Sequence, residues 1–411
     1  MTPNVFDTLT ERGFIAQTAD AQATRELLEK QKITYYIGFD PTASSLHCGS
    51  LVPIMAMAHL QRAGHKPLGL VGGGTAMVGD PSGKTEMRQM LTLAAIRENG
   101  AGLLAQLQRY LTLDGNAGLS ANNADWLLEL KYVEFLRDIG RYFRVNEMVR
   151  AEAYRARLER EEGLSFIEFN YQLLQAYDYL KLFEQHQCIL QMGGDDQWSN
   201  ILAGVDLIRR KHGKQVHCIT FPLLTTARGE KMGKTAKGAI WLDAARTPPY
   251  EFYQYWINTD DRDVRRFLAL FTFLPMDEVE QLASATGANI NASKEVLALE
   301  ATRLCHGDAA ATEARAAARA AFGAGGDLGS MPSTSVAGAR LAEGIGVLEL
   351  FVECGLTASK GEARRLVQQG GAYVNDIVVS AEARKVTTHD MKDDSILLRA
   401  GKKKYHRLLI G

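Results

Sequence analysis

The stretch ITYYIGFDPTASSLHCGS, residues 33–50, decides the fold of the first half of this chain. Residues 33–39 (ITYYIGF) are β-branched, aromatic or apolar almost throughout, the composition of a buried strand. A loop over 40–46 follows, and His47-Cys48-Gly49-Ser50 then opens a helix that runs to residue 63 and is stopped by Gly64. Outward from there, 67–71 reads as a second strand ending in Gly72, Gly73 and Gly74. Further on, 188–192 reads as a strand, 197–210 as a helix and 215–221 as another strand. Strands alternating with helices through short Gly-bearing turns indicate an α/β fold, a Rossmann-like, doubly wound parallel sheet covered by helices. Ligands of such sheets lie beyond the carboxyl ends of the strands, where the loops just quoted fall.

Residues 85–186 read as a mostly helical insertion, with periodic segments such as EFNYQLLQAYDYLKLFEQH, inside a Rossmann-like domain spanning 1–222. After Pro248 and Pro249 no clear strand is legible as far as Phe322, and the run AAATEARAAARAAF suits a helix. Residues 223–325 are therefore expected to form a loop followed by an all-helical domain. The Gly-, Ser- and Thr-rich stretch around 323–337 places a linker at 326–342. Residues 343–411 are expected to form a compact α+β module of two helices and several short strands.

Composition narrows the class. Of 411 residues, 46% are hydrophobic and 23% charged, an ordinary globular balance. The formal net charge of −1 supplies no global basic field, although local patches can still hold a folded RNA. The opening MTPNVFDTLTERGFIAQ lacks the basic region and apolar run of a signal peptide, and no stretch approaches the about 20 apolar residues that span a bilayer. Cys48, Cys188, Cys218, Cys305 and Cys354 are scattered, odd in number and never in a CxxC pair. That argues against a disulfide scaffold or a zinc site, and for a reduced, cytoplasmic protein.

Two segments carry chemistry. In the first, Gly38 lets a flat ring approach the backbone, and His47-Cys48-Gly49 stands at a helix N-terminus, which favours phosphate. Alone, His-x-Gly reads more readily as a structural histidine. The second is Gly229-Glu230-Lys231-Met232-Gly233-Lys234-Thr235, where two lysines flank a flexible Met-Gly and can neutralise a departing pyrophosphate. Alone, it reads as an exposed basic loop. Gly79-Asp80-Pro81-Ser82-Gly83-Lys84-Thr85 imitates a P-loop but has three residues between its glycines where the motif needs four.

Together the two segments resemble the paired signatures of class I aminoacyl-tRNA synthetases, the HIGH motif after the first strand and the KMSKS loop after the last. The segments YYIGFDPTASSLHCGS, AGHKPLGLVGGGTAMVGDPSGKTEMR, NNADWL, NYQLLQAYDYL, QMGGDDQWSNILAG and GEKMGKT resemble the tyrosyl-tRNA synthetases in particular. That resemblance assigns Tyr36 and Asp178 to the phenolic hydroxyl of tyrosine, and Asp80, Tyr171 and Gln175 to its ammonium group. It assigns Gln191 and Gln197 to the carboxylate and phosphate region. Gly38, Asp40, Thr42, His47, Gly49, Ser50, Asp196, Gln197, Lys231, Lys234 and Thr235 would meet ATP. His47, Lys231 and Lys234 would carry catalysis with Thr42 as helper, and magnesium would travel with ATP. Helical spacing alone puts Tyr171, Gln175 and Asp178 on one face, which without the resemblance reads equally as a solvated stripe. Phenylalanine would leave a buried Tyr36 and Asp178 unpaired, which is costly.

Ser50 stands where the signature usually has its second histidine, and its hydroxyl is expected to donate a hydrogen bond and to cap the helix. KMGKT departs from KMSKS yet keeps both lysines around a small residue. The segment ELFVECGLTASKGEARRLVQQGGAYVNDIVV resembles the ribosomal S-four-type RNA-binding module. Lys360, Arg364 and Arg365 share a helix face there, and Lys402, Lys403 and Lys404 begin a closing basic run. Such runs are ordinarily solvated faces, and beside a synthetase they become expected phosphate contacts with tRNA. The resemblance further implies a homodimer whose tRNA spans both subunits. The alternatives are a tryptophanyl-tRNA synthetase, against which Tyr36 and Asp178 argue, a nucleotidyltransferase, and a non-catalytic RNA-binding homologue, against which His47 and the lysine pair argue.

Overall fold

Strand β1 (Thr34–Phe39) sits at the centre of a five-stranded parallel sheet with β2 (Lys66–Val71), β3 (Leu119–Asn122), β4 (Cys188–Gly194) and β5 (His217–Phe221), in the order β3-β2-β1-β4-β5. The order reverses between β1 and β4, which opens a crevice at their carboxyl ends. This is a computed structural model, and it describes residues 4–82, 91–159, 163–229, 231–235, 238–286, 289–322, 332–375, 377–391, 395–401 and 404–410. The chain forms two compact units, 1–311 and 312–411.

Helix Leu51–Arg62 follows the His47–Ser50 turn and is buried nearly all round, packing on β2 and on helix Val264–Phe271. Its Pro53 costs nothing, because the first turn has no intrahelical acceptor for that nitrogen. Ser165 and Glu168 form a reciprocal capping box that starts helix Phe166–His186, the carrier of Tyr171, Gln175 and Asp178. Helices Pro249–Ile257, Val264–Phe271, Met276–Ala283, Ile290–His306 and Asp308–Phe322 follow the sheet. Between the sheet and these helices the chain forms a short antiparallel ladder, β6 (Lys234–Thr235) with β7 (Gly238–Ala239).

One expectation is refined and one is corrected. The insertion over 85–186 is mostly helical and also contains β3, which forms the sheet edge in register with β2 (Leu68↔Leu119, Val71↔Asn122). Leu119-Ser120-Ala121-Asn122 is too short and polar to announce a strand, and pairing with β2 is what makes it one. The span read as linker contains β8 (Ser333–Val336) and helix Gly338–Glu343. In the second unit β8 joins β10 (Ala372–Val374), β11 (Ile377–Val378), β13 (Ser395–Ala400) and β14 (Lys404–Ile410) in a sheet of order β11-β10-β13-β14-β8. Strands β9 (Ile345–Gly346) and β12 (Lys385–Val386) pair separately. Helices Val347–Glu353 and Lys360–Gln368 contribute Leu350, Phe351, Ala363 and Val367 to this unit's core. Residues 326–331, Lys402 and Lys403 lie outside the described residues. Among the described residues no helix is long and apolar enough to cross a membrane.

Candidate active site

A cavity of ≈ 500 Å³ opens at the carboxyl ends of β1 and β4. Tyr36, Gly38, Asp40, Thr42, His47, Gly49, Ser50, Asp80, Tyr171, Gln175, Asp178, Gln191, Asp196 and Gln197 all line it. Lys231 stands apart from this lining and is exposed, and for Lys234 and Thr235 only the β6 pairing is described.

Tyr36 on β1 is buried, and its Oη has no hydrogen-bond partner among the described residues. Asp178, also buried, accepts from Asn123 Nδ2 at 2.9 Å and from Trp126 Nε1 at 2.7 Å. Burial pushes the Asp178 carboxyl up to about 7 against the pull of those two donors, and the nearby Asp40 adds to the rise. Asn123 is itself fixed, since its Oδ1 accepts the Gly74 N–H at 2.7 Å and its Nδ2 also donates to Thr75 Oγ1 at 2.9 Å. The triple glycine allows this close approach. A Cβ on Gly72 would stand 2.0 Å from Asp40 Oδ1, and one on Gly73 would stand 2.4 Å from Asn122 Oδ1. The sequence gives Asn123 and Trp126 no role beyond belonging to NNADWL, because their partner lies 55 and 52 positions away.

The carboxylates beside them are already engaged with other cavity groups. Asp40 accepts from Tyr171 Oη at 2.9 Å and Thr75 Oγ1 at 2.7 Å, while Asp80 accepts from Gln197 Nε2 at 2.7 Å. Burial, then Asp40 and Asp80, push the Tyr171 phenol well up, which keeps it a donor. Burial and Asp80 also raise the Asp196 carboxyl. Asp195 next door is a structural acceptor, bonded by Thr220 Oγ1 at 2.8 Å and Gln17 Nε2 at 2.6 Å. Asp40, Asp80, Asp178 and Asp196 thus share one cavity, a field that favours a cationic group.

The two signature segments are woven together. His47 Nδ1 accepts the Gly49 N–H at 3.0 Å, so the neutral ring carries its proton on Nε2. Ser50 does not cap the following helix with its side chain, contrary to expectation; its backbone N–H instead donates to the His47 carbonyl at 2.7 Å. Cys48 N–H donates to Ile240 O at 2.9 Å, and Leu242 N–H to Leu46 O at 2.9 Å. Trp241 meets the His47 ring edge-on at 6.2 Å, and the Arg246 guanidinium lies 3.4 Å from the Trp241 ring centre. Gly233 has φ +75°, and a Cβ there would stand 2.8 Å from the Gly49 nitrogen, so the lysine-bearing segment rests directly on the His47–Gly49 turn.

In the second unit, two of the cations expected to face RNA are engaged with acids of their own chain. Lys360 pairs with Glu349 at 3.3 Å and Arg364 with Glu382 at 2.8 Å. Arg365 shares their helix and Lys404 begins β14. Arg399 of β13 stacks 3.5 Å from the Tyr373 ring centre, a pairing the sequence reading did not anticipate.

Comparison with known proteins agrees with this geometry. Residues 28–323 match the family described as tRNA synthetases class I (W and Y), and 327–408 match the tyrosine--tRNA ligase SYY-like C-terminal domain. The chain is 55% identical to the tyrosine--tRNA ligase of Desulfosudis oleivorans, over 99% of each. It is 56% identical to that of Desulfatibacillum aliphaticivorans, over 100% of this chain and 99% of the relative. A C-terminally truncated mitochondrial tyrosyl-tRNA synthetase of Aspergillus nidulans superposes with TM-score 0.68 at 30% identity, covering 76% of this chain and 92% of that one. A tryptophanyl-tRNA synthetase of Encephalitozoon cuniculi shares the fold alone, at TM-score 0.56 and 14% identity. A match spanning the sheet, the helices and the terminal module together means that the chain belongs to the tyrosine--tRNA ligases of the class I tRNA synthetase family.

Proposed function

We propose that the cavity joins L-tyrosine to ATP, giving tyrosyl-adenylate and pyrophosphate, and then passes the tyrosyl group to the 3′-terminal adenosine of tRNA(Tyr). The carrying observation is the Tyr36 hydroxyl, without a partner among the described residues, beside the buried Asp178 carboxyl, a donor–acceptor pair suited to a phenol. An indole offers a donor and no acceptor, so it would leave the Tyr36 hydroxyl unsatisfied as a donor.

The ammonium group would enter among Asp80, Tyr171 and Gln175, exchanging for the hydrogen bonds that Asp80 and Tyr171 make now. Asp196 would take the ribose, and Gln191 and Gln197 the carboxylate and α-phosphate. The tyrosine carboxylate oxygen attacks the α-phosphorus in line, and the bond to the bridging oxygen breaks with its electron pair leaving on pyrophosphate. A carboxylate needs no general base, so the protein contributes position and charge. His47 donates through Nε2–H, Thr42 assists, and Lys231 and Lys234 neutralise the leaving group. Magnesium arrives with ATP as part of that substrate. In the second step a ribose hydroxyl attacks the adenylate carbonyl and AMP leaves.

Residues 223–325 are read as the anticodon-contacting helices and 343–411 as a further tRNA contact, in a cytoplasmic homodimer. Support for the dimer comes from the large exposed apolar residues concentrated in 128–167, among them Val133 at 76% and Phe166 at 67% exposure. The deciding assay is amino-acid-dependent exchange of pyrophosphate into ATP. Stimulation by tyrosine is the expected result, and stimulation by tryptophan, or by no amino acid, would overturn the reading.

A further inference from the structure

We propose that Tyr255 is a positioning residue for adenylate formation, its hydroxyl holding the backbone of Gly233 and thereby setting Lys231 and Lys234 relative to the His47 turn. This rests on the activation chemistry above and adds a residue that does not line the cavity.

Tyr255 lies on helix Pro249–Ile257, and its Oη accepts the Gly233 N–H at 3.1 Å. The acceptor is rigidly mounted. Its ring meets Trp256 edge-on at 5.2 Å, and the fully buried Trp256 is clasped by Phe252 at 6.0 Å, Phe267 at 6.0 Å and Phe271 at 5.0 Å. On the other side of Gly233, its carbonyl accepts the Ile240 N–H at 2.9 Å, and the Ile240 carbonyl accepts the Cys48 N–H at 2.9 Å. Gly233 is therefore held between an aromatic core and the His47–Gly49 turn, too close to that turn for any side chain.

Lys231 precedes this fixed point by two residues and Lys234 follows it by one. Fixing one peptide unit between two cations restricts both chain segments at once, so less ordering remains for the transition state to require. The hydroxyl does this without touching substrate, which separates its effect from tyrosine binding.

The test is Tyr255→Phe, which removes one oxygen atom and leaves the ring packing intact. Adenylate formation is followed in single turnovers, and tyrosine binding by fluorescence titration. Loss of one hydrogen bond to the loop should lower the adenylation rate about 5- to 10-fold while the tyrosine Kd and the thermal midpoint stay unchanged. The change is then repeated in a background with Lys231→Ala and Lys234→Ala. There it should cost less than about 2-fold, because the groups being positioned are gone. A full wild-type rate, a parallel loss of tyrosine affinity, or an undiminished loss in the double-lysine background would each overturn the proposal. Absence of tyrosine-dependent exchange in the wild type would instead strike the functional reading beneath it.

Discussion

Asp178→Asn should move stability and activity in opposite directions as pH rises. Burial lifts the Asp178 carboxyl from 3.8 to about 7. The folded value is the higher one, so between the two the folded chain keeps a proton that the unfolded chain has released. The stability linked to this group is fully present below the unfolded value and is lost as pH rises through the folded one. For one proton, wild type should lose about 3 kcal/mol between about pH 5 and about pH 8.5, relative to a chain that cannot ionise there. Against this, asparagine offers one acceptor where Asn123 and Trp126 both donate, leaving a donor unpaired at about 1–3 kcal/mol at every pH. The two contributions nearly cancel at alkaline pH, so the slope is diagnostic and the absolute value is not. Urea unfolding of both chains across this range measures the slope, with pyrophosphate exchange measured beside it. The variant should gain on wild type by about 3 kcal/mol as pH rises, while its kcat/KM for tyrosine falls about 10- to 100-fold. Parallel stability curves would refute the buried, proton-holding carboxyl, and an unchanged kcat/KM would remove Asp178 from the substrate site.

Tyr36→Phe deletes a hydroxyl that has no partner among the described residues, so the unfolding midpoint should hold or rise while the KM for tyrosine increases about 5- to 10-fold. Destabilisation without a KM change would contradict its role. Gly233→Ala places a methyl group 2.8 Å from the Gly49 nitrogen at φ +75°. The exchange rate should fall at least about 10-fold with less than about 2 kcal/mol of lost stability, as urea melts will report. Val133→Glu puts a charge into the exposed apolar region. Analytical ultracentrifugation should then show a monomer for the variant and the proposed dimer for wild type, and an unchanged mass would exclude that face as the interface.

Much of the fold and the site was legible from residues 33–50 outward. β1, β2, β4 and β5 each carry their own apolar run; Gly38 stands at the carboxyl end of β1, and the loops beyond β1 and β4 hold Asp40, His47 and Asp196. Tyr171, Gln175 and Asp178 needed only helical spacing to share a face, and that face does line the cavity. These are short-range signals, expressed within one strand, one turn or two turns of helix, so the chain declares them locally.

The remainder depended on residues far apart in sequence. β3 exists because its backbone pairs with β2, and no run of apolar side chains marks it. Asn123 and Trp126 find a purpose only when Asp178 is delivered beside them, and Ser50 loses its expected cap because His47 Nδ1 and the His47 carbonyl close the turn first. Lys360 and Arg364 read as open cations until Glu349 and Glu382 fold against them. Gly233 looks like a loop spacer until Gly49 on one side and Tyr255 on the other close around it. Local propensity and motif spacing thus determine which elements form and which groups stand at their ends. The partner each polar atom finally takes is set by the free energy of the assembled packing, where a buried donor or acceptor must be satisfied by whatever the rest of the chain brings within reach.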